Sequence, residues 1–280
     1  MKILVTGASG FIGQHTLPLL QEHEVHAISR RPRRSPYAKF HTCDLLDTTQ
    51  IFALLFDLKP DVLLHLAWET TPGVYINSPT NLAWLKLSID LFESFVRAGG
   101  RRVVAAGSSF EYGASNSPCK EEETLLRPTS LYGATKASLH QVSAEFFKTK
   151  GISFAWGRIF QTYGPLENQE RLIPQLIASV GKPFEIRNYH QVKDFIHVED
   201  VAEIFKQLVA NDFEGTLNIG TGKGTTLGEL GNWITEVPEV ESDDSKLVAD
   251  ITKLQEVNYI PRFSAQEGIK QTVEWWNAQL

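Results

Sequence analysis

Hydrophobic residues occur in short consecutive runs through the first 165 residues, separated by longer stretches with helical spacing. Runs that are apolar at successive positions, rather than at every second one, are typical of strands buried on both faces of a parallel sheet. We predict such strands at 3–5, 25–28, 62–66, 102–106 and 152–156, with helices at 11–22, 51–58, 81–98 and 131–148. The strand–helix alternation predicts an α/β fold with a doubly wound parallel sheet of the Rossmann type.

The pattern becomes less regular after Gly164. We predict helices at 172–180, 198–209 and 265–279, and strands at 184–186, 192–197 and 217–219. The change predicts two domains. Residues 1–163 form a dinucleotide-binding Rossmann domain, and residues 164–280 form a smaller, mainly substrate-binding α+β domain, of which about 195–220 is a candidate to return to the first.

The composition excludes several classes of protein. A formal net charge of -6 leaves no broad basic surface for nucleic acid. The two cysteines, Cys43 and Cys119, are too few for a disulfide framework, lack metal-ligand spacing and suit a reducing compartment. No apolar run has the length of a signal peptide or a membrane span. We therefore expect a cytoplasmic protein with no metal and no nucleic-acid or membrane partner.

Three glycines lie between the first predicted strand and the first predicted helix. Gly7 permits a tight turn, Gly10 lets backbone N–H groups approach a pyrophosphate, and Gly13 lets helix and strand pack closely. Free N–H groups and the dipole at a helix N-terminus favour phosphate. We predict dinucleotide binding by this loop, including Phe11 and Ile12; a glycine-rich turn without a ligand is the alternative.

The region after the second predicted strand bears on the choice between NAD and NADP. No Asp or Glu lies at residues 26–42 to hold a ribose 2′-hydroxyl, whereas Arg30 and Arg31 suit a 2′-phosphate. A solvated basic loop is the alternative, and we favour NADP(H) over NAD(H). Asp44, followed by Leu45, is a candidate contact to the adenine; a turn or helix-cap aspartate is the alternative.

Tyr132 and Lys136 lie four residues apart in a predicted helix, so both side chains address one face. A nearby ammonium stabilises a phenolate, which suits a tyrosine to proton transfer near neutral pH. Ser108 follows the strand at 102–106, and its hydroxyl can bond a carbonyl oxygen that gains charge; Ser109 is its rival. A surface lysine beside a half-buried tyrosine, and a turn serine, are the alternatives.

These residues together resemble the extended short-chain dehydrogenase/reductase family, the NAD-dependent epimerase/dehydratase group. The resemblance runs to about Leu230 and rests on segments 6–13, 65–67, 108–113, 132–136, 158–165 and 193–202. It implies that Ser108 is the catalytic serine, acting with Tyr132 and Lys136, and that Leu66 and Ala67 border the cofactor. It also implies a C-terminal half that binds substrates, often nucleotide-linked sugars.

Several positions depart from the family pattern. Gln161 replaces an asparagine that often contacts the substrate diphosphate, and Lys193 replaces an arginine without its bidentate fork; ordinary surface roles are the alternative for both. Ser109 and Phe110 stand where sugar 4,6-dehydratases carry an Asp–Glu pair for water elimination, and Phe110 also replaces the cysteine of nucleotide-fucose synthases. Trp68, Ser109 and Phe110 are our further candidates for substrate contact.

The sequence thus favours an NADP(H)-dependent reductase of a nucleotide-linked keto-sugar, acting at C4 of a 4-keto-6-deoxyhexose. Hydride would pass to the carbonyl carbon while Tyr132 protonates the oxygen, Ser108 bonds it and Lys136 holds the ribose. A nucleotide-sugar epimerase with tightly held cofactor is the alternative, and a non-catalytic dinucleotide-sensing protein is a second. The resemblance also implies a homodimer that packs the helices at 81–98 and 131–148 into a four-helix bundle. Glu111 is unusual as well, and the sequence ranks it no higher than an ordinary loop residue.

Overall fold

A computed structural model of the protein describes residues 1–241 and 244–279. The strands are β1 (Lys2–Thr6), β2 (Glu24–Ser29), β3 (Lys39–Thr42), β4 (Val62–His65), β5 (Arg102–Ser108), β6 (Ser153–Ile159), β7 (Gln161–Tyr163), β8 (Val192–His197), β9 (Gly215–Ile219), β10 (Gly224–Thr226) and β11 (Lys246–Leu247). The helices are α1 (Phe11–Thr16), α2 (Thr48–Leu58), α3 (Thr80–Arg97), α4 (Leu131–Lys150), α5 (Leu172–Ala178), α6 (Val198–Ala210), α7 (Leu227–Asn232), α8 (Thr252–Glu256) and α9 (Ala265–Asn277). Short 3-10 turns cover Leu17–Leu20, Tyr75–Asn77 and Ser109–Glu111.

The seven-stranded sheet has the order β3-β2-β1-β4-β5-β6-β9. The pairs from β3 to β5 run parallel, which confirms the predicted doubly wound sheet. The strand order reverses at β1, where Thr6 pairs with His65 of β4. Ligands of open α/β sheets bind outside the carboxyl ends of the strands at such a reversal. The topology therefore sets the glycine loop beside Leu66 at the expected cofactor crevice.

The chain divides into two compact units. Unit 1 comprises Met1–Glu111, Pro128–Arg158 and Ala202–Leu217, and unit 2 comprises Tyr112–Arg127, Ile159–Val201 and Asn218–Leu280. Residues 112–127 thus belong to unit 2, whereas the predicted boundary near residue 164 assigns them to the first domain. The return of 202–217 to unit 1 lies within the region 195–220 that the sequence marks as a candidate for it.

Each unit has its own apolar core. In unit 1, α2, α3 and α4 bury residues such as Leu55, Phe92 and Phe147 together with apolar residues of the central strands. In unit 2, β8 pairs in parallel with β7 and β11 and antiparallel with β10. Side chains from β8, α5 and α9, including Phe195, pack into a second core.

Two local predictions are wrong. Helix α1 ends at Thr16 and a 3-10 turn follows, because Pro18 at the start of that turn has no N–H group to continue an α-helix. Residues 184–186 form no strand; Ile186 is buried in the core of unit 2 within irregular backbone. A short apolar run alone does not distinguish a strand from a buried loop.

Within the described residues, none of the helices combines the length and the apolar character needed to cross a lipid bilayer.

Candidate active site

The three glycines of the loop after β1 meet different constraints. Gly7 has a φ of 71°, and a Cβ there would lie 2.6 Å from the backbone nitrogen of Ala67. A Cβ at Gly13 would lie 2.2 Å from the carbonyl oxygen of Gly7. Gly10 is exposed, and a Cβ there would lie 3.1 Å from the same carbonyl oxygen of Gly7. Gly7 and Gly13 are therefore required by the turn itself, whereas Gly10 keeps the outer surface of the loop open.

This loop fits a dinucleotide. Gly10 is the N-terminal cap of α1, and it has no side chain to form a capping hydrogen bond with the first turn of that helix. The N–H of Gly10 donates to Gly7, which fixes the turn. Phe11 and Ile12 are half-buried at the start of α1, while Leu66 is half-buried and Ala67 buried after β4. Exposed backbone at a helix start suits the phosphates of NAD(H) or NADP(H).

The region after β2 presents basic side chains to solvent. Arg30 and Arg31 are exposed, and the Ser29 hydroxyl donates to the Arg31 carbonyl at 2.8 Å, which shapes the turn. Asp44 is also exposed, and its Oδ1 accepts a hydrogen bond from the Leu46 N–H at 3.0 Å. Asp44 therefore has the local turn role that we gave as its alternative, and contact with adenine stays a prediction. Leu45 is buried beside it.

Tyr132 lies in the first turn of α4 among aromatic rings. Ser130 caps this helix by accepting from the Gly133 N–H. The Tyr132 ring makes edge contacts with the rings of Tyr75, Phe110 and Trp68, at centroid distances of 5.0, 5.8 and 6.2 Å. It is 8% exposed. The phenol is therefore held in one orientation by packing.

Lys136 is buried one helical turn further along α4. Its Nζ donates to the Ala106 carbonyl at 2.7 Å and lies 3.9 Å from the centre of the Trp68 ring. Burial lowers the pKa of Lys136 to about 7, and the charge of Glu111 acts in the opposite direction. Because Tyr132 also contacts Trp68, the structure brings both predicted catalytic side chains of α4 to one indole ring.

Ser108 ends β5, the strand whose Ala106 carbonyl holds Lys136. Its Oγ accepts a hydrogen bond from the Phe110 N–H at 3.2 Å, and its own N–H donates to Glu111 Oε1 at 2.8 Å. Ser109 is buried in the same turn. A Cβ at Gly133 would lie 2.4 Å from the Phe110 carbonyl oxygen, so this glycine lets α4 approach the turn closely.

Sequence reasoning missed two contributors to this site. Tyr75 contacts the Tyr132 ring from a 3-10 turn that carries no recognisable motif. Glu111 pairs with Arg158 of β6 at 2.8 Å, and both side chains are almost fully buried. The sequence did offer one signal for this pair. Glu111 and Arg158 are charged residues that lie among apolar and small residues typical of buried strands and turns.

The predicted diphosphate contacts lie in unit 2. Gln161 of β7 pairs with Phe195 of β8, and Lys193 lies two residues before Phe195. Side chains two apart along a strand share a face, so Gln161 and Lys193 lie on the same face of the smaller sheet. Both are half-buried. The structure thus places these two predicted residues on one face of the smaller sheet, and their contact with a diphosphate stays a prediction.

The doubly wound sheet, the glycine loop at its reversal and the Tyr–Lys helix define a dinucleotide-dependent α/β enzyme of the extended short-chain dehydrogenase type. The chain belongs to the NAD dependent epimerase/dehydratase family, whose sequence profile matches residues 3–220. This confirms the family predicted from the sequence.

Comparison with individual proteins gives the same class. One relative is a trifunctional UDP-glucose 4,6-dehydratase/UDP-4-keto-6-deoxy-D-glucose 3,5-epimerase/UDP-4-keto-L-rhamnose-reductase of Arabidopsis thaliana, to which the chain is 25% identical. The alignment covers 98% of this chain and 47% of that protein, so the chain spans about half of this relative. It is 27% identical to the GDP-6-deoxy-D-talose 4-dehydrogenase of Aggregatibacter actinomycetemcomitans, over 85% of this chain and 80% of that one. The crystal structure of UDP-glucose 4-epimerase from Thermus thermophilus, in complex with NAD, superposes with a TM-score of 0.89 at 25% identity and 100% coverage of both chains.

These similarities confirm an enzyme of the oxidoreductase/epimerase class within a family of nucleotide-sugar enzymes. The family cofactor is NAD(H), and the NAD in the Thermus complex gives no support to a preference for NADP(H).

Proposed function

We propose that this enzyme reduces the keto group at C4 of a nucleotide-linked 4-keto-6-deoxyhexose. The observation that carries the proposal is the convergence of Tyr132 and Lys136 on Trp68, beside the strand end that holds Ser108. A phenol, an ammonium and a hydroxyl grouped in this way suit proton transfer to a carbonyl oxygen that gains charge.

Each side chain has a separate task in this proposal. The Tyr132 phenol gives a proton to the sugar oxygen, and the aromatic rings around it fix its direction and exclude water. The Ser108 hydroxyl donates a hydrogen bond to the same oxygen. The Lys136 ammonium favours the phenolate that remains on Tyr132. The nicotinamide cofactor, when bound, supplies the hydride.

Dehydration is disfavoured by the residues beside Ser108. Ser109 and Phe110 stand where family dehydratases carry an acid pair, and neither side chain titrates as a carboxylic acid does. The Phe110 ring instead packs against Tyr132. A relative named as a GDP-6-deoxy-D-talose 4-dehydrogenase supports hydride chemistry at C4.

NADP(H) is our proposed cofactor, since Arg30 and Arg31 are exposed after β2 and residues 26–42 contain no acid. Gln161 and Lys193 are the proposed diphosphate contacts in a substrate-binding unit 2. We keep the cytoplasm as the proposed location on the cysteine count alone.

A homodimer is proposed through α3 and α4. Leu82 and Ile89, seven residues apart on α3, and Val142 on α4 are exposed apolar side chains. Residues seven apart lie on one helix face, so α3 presents an apolar stripe of the kind that helix packing buries.

The test is turnover of nucleotide-linked 4-keto-6-deoxyhexoses with NADPH or NADH, followed by loss of reduced-nicotinamide absorbance. We expect stoichiometric consumption, faster with NADPH. The second candidate, an epimerase, is favoured by the similarity to the Thermus epimerase–NAD complex. It predicts a product from a nucleotide-linked 4-hydroxy sugar with no net cofactor consumption, and that result would replace the reductase proposal.

A further inference from the structure

Glu111 is a fully buried carboxylate at the end of the turn that follows β5. Its Oε1 accepts hydrogen bonds from the Ser108 N–H at 2.8 Å and from Trp156 Nε1 at 3.0 Å. Its Oε2 accepts from Arg158 Nε at 2.8 Å. The partners are themselves buried, Arg158 at 2% exposure and Trp156 at 0%. The carboxylate therefore joins the predicted catalytic strand to β6.

The surrounding backbone leaves room for this carboxylate. A Cβ at Gly107 would lie 2.1 Å from Trp156 Nε1 and 2.7 Å from Glu111 Oε1. A buried ion pair is a poor way to gain stability, because apolar residues of similar volume often serve as well or better. Packing alone therefore gives no reason for an acid at this position.

Glu111 is linked to two of the three predicted catalytic groups, Ser108 and Lys136. It holds the backbone amide of Ser108 directly. The Trp156 ring that donates to Glu111 also lies 5.8 Å from Lys136 Nζ. The negative charge of Glu111 raises the pKa of Lys136 against the larger effect of burial.

We propose that Glu111 is a positioning residue that holds the Ser108 amide at the end of β5 and places a negative charge at the Trp156 ring, which Lys136 also faces. The roles of Ser108 and Lys136 rest on the proposed function. The link from Glu111 to Lys136 can be measured without turnover.

Other titratable groups near Lys136 do not supply this charge. His65 of β4 is buried, and burial lowers its pKa to about 3, so it is neutral at pH 7. On α4, the pKa of His140 is lowered to about 4 by burial and by Arg158. Tyr132 of the same helix is a phenol, and Arg158 of β6 is a cation paired with Glu111. Glu111 is the anion of this group.

The primary test is the Glu111→Gln variant, which keeps the side-chain shape and removes the charge. We would titrate Lys136 by NMR in protein labelled with ¹³C-lysine, assigning its signal with Lys136→Met. The expected result is a fall of about one unit in the Lys136 midpoint, which corresponds to a tenfold change in its protonation equilibrium. In turnover we expect kcat to fall about 100-fold with little change in KM, as for loss of a group that acts in the transition state.

Two further variants separate positioning from folding. The double variant Glu111→Leu with Arg158→Met replaces the ion pair by apolar side chains and should recover the melting temperature. On our proposal it recovers neither kcat nor the Lys136 midpoint. Asp200→Asn is the matched control in unit 2, because Asp200 is fully buried and accepts from Arg262 Nε at 2.9 Å. It should lower the melting temperature and leave the Lys136 midpoint unchanged.

An unchanged Lys136 midpoint in Glu111→Gln, or a kcat restored together with the melting temperature in the double variant, would overturn the inference. Should Glu111→Gln fail to fold, the double variant alone gives the same two readouts. Failure of the proposed function looks different: the wild-type protein then turns over no keto-sugar, while the Lys136 midpoint still responds to residue 111.

Discussion

The ammonium of Lys136 lies 3.9 Å from the centre of the Trp68 indole ring. A cation over an indole face is stabilised by the electron density of the ring, which partly offsets the cost of burying the charge. The same ring contacts Tyr132 at its edge. Trp68, which the sequence marks as a candidate for substrate contact, therefore packs against the two side chains on which the proposed proton transfer depends.

Tyr132→Phe should reduce kcat by about 10²–10⁴-fold, because the proposed proton donor is removed while the packed ring remains. Turnover with saturating cofactor measures it. Tyr259→Phe is the control: it also deletes a buried hydroxyl, which donates to Asp200, but in unit 2 and outside the proposed site. The control should lose about 1 kcal/mol of stability and keep its kcat. Equal activity of the two variants would remove Tyr132 from the mechanism.

Lys136→Met should abolish turnover and stabilise the fold near pH 7. The folded pKa of Lys136, about 7, lies below its ordinary value of 10.5. Between these values the unfolded chain binds a proton that the folded protein does not. The destabilisation by Lys136 is therefore complete below about pH 7 and disappears as the pH rises towards 10.5.

Chemical denaturation of Lys136→Met and the wild type at pH 6 and pH 10 tests whether the destabilisation by Lys136 falls as the pH rises. We expect the free energy of unfolding of the variant to exceed that of the wild type by about 2 kcal/mol at pH 6 and by less at pH 10. The exposed Lys148, on the same helix, gives the control Lys148→Met, whose stability should follow the wild type at both pH values. A gain that grew with pH would contradict the buried-ammonium account.

Gly13→Ala and Gly10→Ala should separate the two constraints on the loop. A Cβ at Gly13 would overlap the Gly7 carbonyl oxygen, so we expect a loss of about 2 kcal/mol or more in folding stability. A Cβ at Gly10 would make only one tight contact, 3.1 Å from the Gly7 carbonyl oxygen, and the backbone there is extended. Gly10→Ala should therefore fold with a smaller loss of stability than Gly13→Ala and should weaken cofactor binding. Melting temperatures with and without NADPH measure both effects. Normal cofactor binding by Gly10→Ala would argue against the proposed pyrophosphate site.

Arg30→Ser combined with Arg31→Ser should raise the KM for NADPH about 10–100-fold and leave that for NADH nearly unchanged. Charge-assisted bonds to a 2′-phosphate are lost in this variant, and they contribute about 1.5–3 kcal/mol. Arg33→Ser with Arg34→Ser removes the same charge from the same exposed run and is the control. If both double variants behave alike, NADP selectivity does not come from residues 30 and 31.

If the proposed α3–α4 dimer forms, light scattering should give a dimer for the wild type and a monomer for Ile89→Glu. A buried carboxylate in the proposed α3–α4 interface would be unpaired and costly. Leu125→Glu alters another exposed apolar side chain outside those helices, 67% exposed against 37% for Ile89, and should leave the proposed dimer intact. A wild-type protein that is monomeric at micromolar concentration would refute the proposed interface.

The β–α alternation, the glycine loop and the Tyr–Lys spacing were readable because each depends on residues close together in sequence. Periodicity predicted α2, α3, α4 and the central strands to within a few residues. It failed at Ile186, whose backbone conformation is set by its burial in the core of unit 2 rather than by a local pattern. Asp44 likewise has a local hydrogen-bonding role that its position alone left open.

The sequence alone determined the fold class, the family and the candidate Ser108, Tyr132 and Lys136, since local backbone preferences and motif order carry that information. Tertiary contacts were needed to bring Lys136 to the Ala106 carbonyl, 30 residues away, and Glu111 to Arg158, 47 residues away. The low-polarity environment that lowers the pKa of Lys136 exists only once those segments pack together. An acid in a turn and an arginine in a strand have no visible connection until folding removes water from between them.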